Sequence, residues 1–306
     1  MAAAHPARGA AARKPSWLKV KAPAPGAFRA TGTVLDALRL HTVCDEARCP
    51  NKGECFSAGT ATFLILGGVC TRTCGFCAVE GAEAGARSAG ATGLGAPDPD
   101  EPARLAEAAV RLGLRHVVVT SVTRDDLRDG GAAQFAATIA ALRAALPAAT
   151  VEVLVPDFGG DRAALDSVLG ARPDVLNHNL ETVPRLYAAA RPQADYGRSL
   201  ELLRRAAAAA PRPLVKTGLM VGLGETAGEV SGVLADAAAA GVDVVTVGQY
   251  LCPRAGRLAV DRYVAPEEFA ALEDEGPRLG LRVVAGPFVR SSYHAGEVFA
   301  ARGVTV

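Results

Sequence analysis

From residue 60 onward the chain alternates between short β-branched runs and alanine-rich stretches in which Leu, Val and Ala recur with helical spacing. The runs Ala61–Leu66, His116–Ser121, Val151–Val155, Val175–Asn179, Val215–Val221 and Val242–Gly248 predict strands. The stretches Glu101–Leu112, Ala132–Leu146, Arg162–Leu169, Ser199–Ala209, Ala227–Ala240 and Pro266–Leu279 predict helices, with charges on the face opposite the apolar one. Short loops of Gly, Pro and Asp separate them. Six strand–helix units in a row imply a parallel sheet, because parallel neighbours need a crossover helix. Six are too few for a complete eight-stranded barrel. The pattern therefore predicts an α/β fold with an open, partial TIM-like (β/α)6 barrel, and periodicity alone leaves a doubly wound sheet open. In either architecture functional groups gather at the carboxyl ends of the strands.

The flanks read differently. Residues 1–59 have weak periodicity and many prolines, whereas residues 251–306 hold an Arg- and Pro-containing loop, one helix, a last strand candidate at Leu281–Ala285 and a polar tail. Both are expected as extensions wrapped on a barrel formed by residues 60–250. Met1 to Arg13 carries Ala, Arg and Pro but no acidic residue. It reads as an unstructured tail of a cytoplasmic protein, since a secretory apolar segment is missing and the stretch is short for a transit peptide.

Composition adds exclusions. Half of the 306 residues are hydrophobic, although alanine inflates that fraction. A formal net charge of +1 gives no electrostatic footprint for nucleic acid or for an anionic membrane. No apolar run approaches the roughly 20 residues of a membrane span. The seven cysteines change the picture more, because six of them crowd between Cys44 and Cys77. Without an export signal this density points to metal or redox chemistry rather than to disulfides.

Cys70, Cys74 and Cys77 form a C-x3-C-x2-C spacing directly after the first predicted strand and its Gly67-Gly68 turn. Three thiolates on one short loop can hold three irons of a cubane cluster, which usually has four cysteine ligands. One iron is then left for something else, and an open metal position signals chemistry. The other triplet, Cys44, Cys49 and Cys55, has a C-x4-C-x5-C spacing that fits no zinc knuckle, with only His41 nearby as a fourth ligand. A second cluster is the better reading. At the end of another predicted strand stand Asn177, His178, Asn179 and Glu181, where barrel enzymes place binding groups. Arg191 follows, a residue type that clamps carboxylates. The Gly222-Leu223-Gly224-Glu225 stretch is either a backbone approach to a ligand or a plain strand-to-helix turn. The run Arg124 to Asp129 after Ser121 is either a solvated loop or part of the mouth.

The C-x3-C-x2-C loop, with Phe76 before its last cysteine, resembles the signature of radical S-adenosylmethionine (SAM) enzymes. The C-x4-C-x5-C triplet is similar to that of the lipoyl synthase family in particular. The similarity runs over about residues 30–295 through TSVTRDDLRDGGAAQFA, NHNLETVPRLY, KTGLMVGLGET, GQYLCP and GPFVRSSYHA. The resemblance implies two [4Fe–4S] clusters. Cys70, Cys74 and Cys77 would bind one whose open iron takes SAM, the source of a 5′-deoxyadenosyl radical. Cys44, Cys49, Cys55 and the oxygen of Ser292 would bind an auxiliary cluster that gives up its sulfide. Phe76, Ser121, Asn179, Glu181 and Arg191 are the expected SAM contacts. The implied activity is insertion of two sulfur atoms at C6 and C8 of an octanoyl group on a carrier lysine. The implied partners are octanoylated lipoyl carrier domains, namely the glycine cleavage H protein and the E2 subunits of 2-oxoacid dehydrogenases, with ferredoxin or flavodoxin as electron donor. A biotin-synthase-like sulfur inserter and a plain iron–sulfur carrier are the rivals. Cys252 and Gln193 depart from the family's usual residues, and Cys252 reads as a bystander.

Overall fold

A computed structural model of the chain describes residues 14–20, 23–82 and 94–300. The Met1–Arg13 tail lies outside the described residues. All six expected strands form. In chain order the main elements are α1 (Pro25–Ala37), β1 (His41–Thr42), α2 (Val43–Glu46), α3 (Lys52–Ser57), β2 (Thr62–Ile65), β3 (Val69–Cys70) and β4 (Glu80–Gly81). Next come α4 (Glu101–Arg111), β5 (His116–Ser121), α5 (Ala132–Ala145), β6 (Thr150–Leu154), α6 (Arg162–Gly170) and β7 (Val175–Asn177). The remainder is α7 (Tyr187–Ala190), α8 (Tyr196–Ala207), β8 (Leu214–Val221), α9 (Ala227–Ala239), β9 (Val244–Gln249), α10 (Pro266–Glu275), β10 (Arg282–Gly286) and α11 (Ala295–Ala300).

The sheet runs β1-β2-β5-β6-β7-β8-β9-β10, antiparallel between β1 and β2 and parallel everywhere else. Sequential parallel order with helical crossovers is the barrel solution, not the doubly wound one, and the order does not close on itself. The last strand candidate joins the same sheet, with Val284 opposite Thr246 of β9, so the parallel part has seven strands. Residues 62–65, 117–120 and 244–249 are all buried, as strands covered on both faces must be. Phe63, Ile65, Val117 and Val119 face the helices, packing with Leu105, Phe135 and Ile139 in the main core. Helix starts are chemically specified: Thr226 caps α9 in a reciprocal box with Glu229, and Asp195 accepts from the Arg198 amide to start α8.

The interior has its own layers. At the amino ends of the strands Val175, Leu214 and Val244 meet Val298 of α11, which closes that end. Next comes a buried polar layer. Lys216 Nζ lies 3.0 Å from Glu152 Oε1, and His116 Nε2 lies 3.1 Å from Glu152 Oε2. Lys216 and His116 hold this carboxylate in its charged form although burial opposes it. The C-terminal tail then enters the interior. Gly218 of β8 and Gly248 of β9 leave room for it: a Cβ on Gly218 would lie 2.6 Å from Ser291 Oγ, and one on Gly248 would collide with the Val289 carbonyl. Among the described residues no helix is long and apolar enough to cross a membrane.

Candidate active site

Two cysteine clusters stand at opposite ends of β2. The loop carrying Cys70, Cys74 and Cys77 leaves the carboxyl end through the Gly67-Gly68 turn. It is bound on several sides by backbone. Thr71 N–H donates to the Thr123 carbonyl at 2.9 Å, Gly75 N–H to Ala190 at 2.8 Å, and Leu258 N–H to Gly75 at 2.9 Å. Cys70 Sγ accepts from the Arg72 and Thr123 amides at 3.4 and 3.3 Å. Burial pushes the Cys74 thiol up to about 12 and Cys77 up to about 11, and the cysteines raise one another further. Buried thiols that raise one another are ionised only when cations take up the charge, which is the chemistry of iron–thiolate bonding. No three His, Cys, Asp or Glu side chains among the described residues converge as ligands of a single metal ion do. In a cubane each thiolate serves its own iron, so the sulfurs of a triplet stand apart.

An ion-pair cage that sequence reading missed fixes this loop. Arg72, between the first two cysteines, is buried and gives two 2.8 Å bonds to Asp125 and one of 2.6 Å to Asp157. Burial would raise Asp157, yet the Arg72 guanidinium holds its carboxyl at about 2. Arg124 forks onto Asp126 instead, at 2.8 Å on both oxygens. Of the charged run after β5, Asp125 thus braces the cysteine loop, while Asp129 accepts from the Gly131 and Ala133 amides where α5 begins. The Gly222-Leu223-Gly224 stretch is a turn: Glu225 accepts its amides from Gly222 and Leu223 at 2.6 and 2.9 Å. Gln193 accepts from the Thr73 amide at 3.0 Å and ties the loop to the segment after α7. Cys252 is exposed, with its thiol 3.2 Å from the Arg254 carbonyl.

The expected SAM contacts gather near this loop. Arg191 and Glu181 both act electrostatically on Cys74. Arg191 Nη1 donates to the Asn179 carbonyl at 2.9 Å, and its buried Nε has no partner among the described residues. Burial raises Glu181, opposed by Arg191 and by a 3.1 Å bond from Asn179 Nδ2. Asn179 Oδ1 accepts from Ser291 Oγ at 2.8 Å, so this side chain joins the strand end to the tail. Ser121 Oγ is buried without a partner among the described residues, and Phe76 is half-buried. Nearby His178 donates from Nδ1 to Val155 at 2.8 Å, and burial pushes its pKa down to about 4. Its unfolded value is near 6.5, so the unfolded chain binds more protons between these values. Stability from a neutral His178 is therefore complete above pH ~6.5 and declines by roughly 3 kcal/mol toward pH 4. Urea denaturation from pH 7 to 4.5 should show that loss, and His178→Gln should flatten it. An unchanged slope in the variant counts against the assignment.

The other triplet lies at the amino end. Burial pushes Cys44 up to about 12 and Cys55 to about 11, each raised further by Cys49. Thr42 caps α2, placing Cys44, and α3 carries Cys55. The tail arrives beside them: Thr62 Oγ1 donates to Ser292 Oγ at 2.8 Å, and Thr62 in turn contacts Cys44 through its backbone. A cavity of about 370 Å³ lies between Cys55, Thr62, His116, Val118, Ser292 and Tyr293. Thr62 pairs with Val118, and Cys70 meets Thr123, five residues further along. At strand rise that sets the levels of Thr62 and Cys70 roughly 16 Å apart.

Comparison with known proteins agrees with this geometry. The fold is similar to that of Streptococcus suis SuiB bound to S-adenosylmethionine, with TM-score 0.52 and 11% identity, covering 84% of this chain and 60% of that one. It is also similar to methylornithine synthase, with TM-score 0.50 and 12% identity over 83% of this chain and 81% of that one. At those identities the likeness is one of fold. Residues 64–237 match the family model of the radical SAM superfamily, which makes the chain a radical SAM protein and implies S-adenosylmethionine and a [4Fe–4S] cluster. Residues 3–49 match the N-terminal domain of lipoyl synthase of the radical SAM family. The chain is 57% identical to the lipoyl synthase of Nitratidesulfovibrio vulgaris strain DP4, covering 94% of this chain and 93% of that one. It is 52% identical to that of Chlorobium limicola, covering 95% and 97%. The chain belongs to the lipoyl synthase family of radical SAM sulfurtransferases.

Proposed function

We propose that this protein inserts sulfur at C6 and C8 of an octanoyl group amide-linked to a lysine of lipoyl carrier domains, such as the H protein and E2 subunits. In this reading Cys70, Cys74 and Cys77 hold the cluster that binds SAM, and Cys44, Cys49, Cys55 and Ser292 hold an auxiliary, sulfide-donating one. The supporting observation is the pair of cysteine triplets at the two ends of β2, with Ser292 at one of them through Thr62. The octanoyl carbons carry unactivated C–H bonds that no protein base can deprotonate. When bound, the clusters and SAM supply a carbon radical for hydrogen abstraction and sulfide for the new C–S bonds.

The chain's own residues do the rest. Arg191 offers its unpartnered Nε to a carboxylate, and Glu181 is an acceptor for an amino group, which are the two charged ends of the amino-acid portion of SAM. Phe76 lies on the cysteine loop itself, and Ser121 stands two residues before Thr123, whose amide bonds Cys70 Sγ. Ser292 is a hard oxygen donor at a soft iron site, hence a ligand that releases readily. An electron donor such as ferredoxin or flavodoxin completes the scheme.

The test is anaerobic reconstitution with iron and sulfide, for wild type and a Cys70/Cys74/Cys77 triple-alanine variant. About eight irons falling to about four is expected for two cubane clusters, with lipoylation of an octanoylated carrier by wild type alone. About four irons in both proteins, or turnover of free octanoate in preference to the carrier, would refute the proposal.

A further inference from the structure

The segment between Cys49 and Cys55 does more than space two cysteines. Of its residues, Lys52 turns back to Asp45 and to the rings of Phe28 and Phe56 at 5.6 and 4.9 Å. The other two polar side chains reach to the far end of the chain. Asn51, 3% exposed, donates from Nδ2 to the Phe288 carbonyl at 2.7 Å. Glu54 Oε1 accepts from the Tyr293 hydroxyl at 3.0 Å and lies 3.5 Å from His294 Nε2. Between these two fastenings sit Ser291, bonded to Asn179, and Ser292, bonded to Thr62.

We propose that Asn51 and Glu54 are positioning residues that clasp the tail at Phe288 and Tyr293 and so fix Ser292 at the first triplet. The inference rests on the reading of Ser292 as the fourth ligand and adds the residues that deliver it. An oxygen is a weak donor to an iron–sulfur centre, so its occupancy depends on how long the tail is held close by. A segment tied at both ends loses little further freedom on ligation. Untying one end lowers its effective concentration at the iron. Glu54 gives the stronger of the two ties in kind, because a charged acceptor makes a stronger hydrogen bond than a neutral one. Asn51 gives the drier one. Neither needs to touch iron.

The experiment uses the full chain, loaded anaerobically, in the Cys70/Cys74/Cys77 triple-alanine background so that only the auxiliary site contributes. Asn51→Ala, Glu54→Ala, Glu54→Gln and Ser292→Ala are compared by electron paramagnetic resonance after mild oxidation, and by amide exchange over residues 286–295. Glu54 is half exposed, so Glu54→Ala should fold even where Asn51→Ala does not. The expected result is roughly tenfold faster exchange of the tail in Glu54→Ala, as loss of one hydrogen bond to a charged group predicts. Its spectrum should shift toward that of Ser292→Ala. Glu54→Gln keeps an acceptor for the tyrosine hydroxyl and should restore both readouts. A Glu54→Ala protein with wild-type exchange and spectrum, while Ser292→Ala is altered, overturns the clasp and leaves the ligand assignment standing. A Ser292→Ala spectrum identical to wild type overturns the ligand assignment itself, and the clasp with it.

Discussion

Cys74→Ala is expected to reduce 5′-deoxyadenosine formation to background while leaving the fold in place. The loop around position 74 is held by bonds that do not use its side chain: Gly75 to Ala190, Leu258 to Gly75, and the Arg72 fork onto Asp125 and Asp157. The substitution removes a thiol whose pKa burial already raises to about 12 and leaves those backbone and ion-pair bonds in place. The change therefore falls on ligation. On the proposed assignment a loop with two thiolates cannot saturate three irons, and the open iron for SAM would be lost with the cluster. Product quantified under strong reductant measures the effect. Continued cleavage of SAM by the variant would remove this loop from the mechanism.

Gly248→Ala should separate the two halves of the reaction. A Cβ at this position collides with the Val289 carbonyl and stands 2.8 Å from Arg290 Nη1. The first clash is with backbone, so no rotamer relieves it, and the tail must leave the interior or β9 must shift. Overpacking of this kind costs about 1–3 kcal/mol of stability. The bonds that hold the loop with Cys70, Cys74 and Cys77 run to Thr123, Ala190, Leu258 and the Arg72 cage rather than to residues 288–292. The variant should therefore still release 5′-deoxyadenosine while sulfur insertion falls to background. Intact product formation would mean that the tail works from somewhere other than the interior.

The parts of this protein that were legible in its sequence are those whose logic is local. β-branched runs such as His116–Ser121 announce central strands because both of their faces are buried, and each cysteine triplet falls within one short stretch of chain, residues 44–55 and 70–77. β1 was invisible because two residues carry no periodicity. The strand at Arg282–Gly286 was visible as a strand but not as part of the barrel, since only its register against β9 says so. The cage around Arg72 joins residues 53 and 85 positions apart, and its members look individually like a solvated charge run. Gly218 and Gly248 appear as unrelated glycines until the sheet sets them on adjacent strands, two positions apart in register, beside one tail. Ser292 was nameable only by resemblance, because a serine in a terminal loop has no spacing rule.

The tie between Asn51 and Phe288 spans 237 residues, and that between Glu54 and Tyr293 spans 239. On the ribosome the segment carrying the first triplet emerges long before the segment it is tied to, so its surroundings are complete only after the 237 to 239 intervening positions have followed. The C-x3-C-x2-C loop has no such wait for its nearest strands, since Thr123 and Asp125 follow it within about fifty positions. Long-range closure is slow and comes late in folding. A chain broken off before residue 288 would thus carry all six clustered cysteines and still lack the tail that Asn51 and Glu54 hold beside the first three.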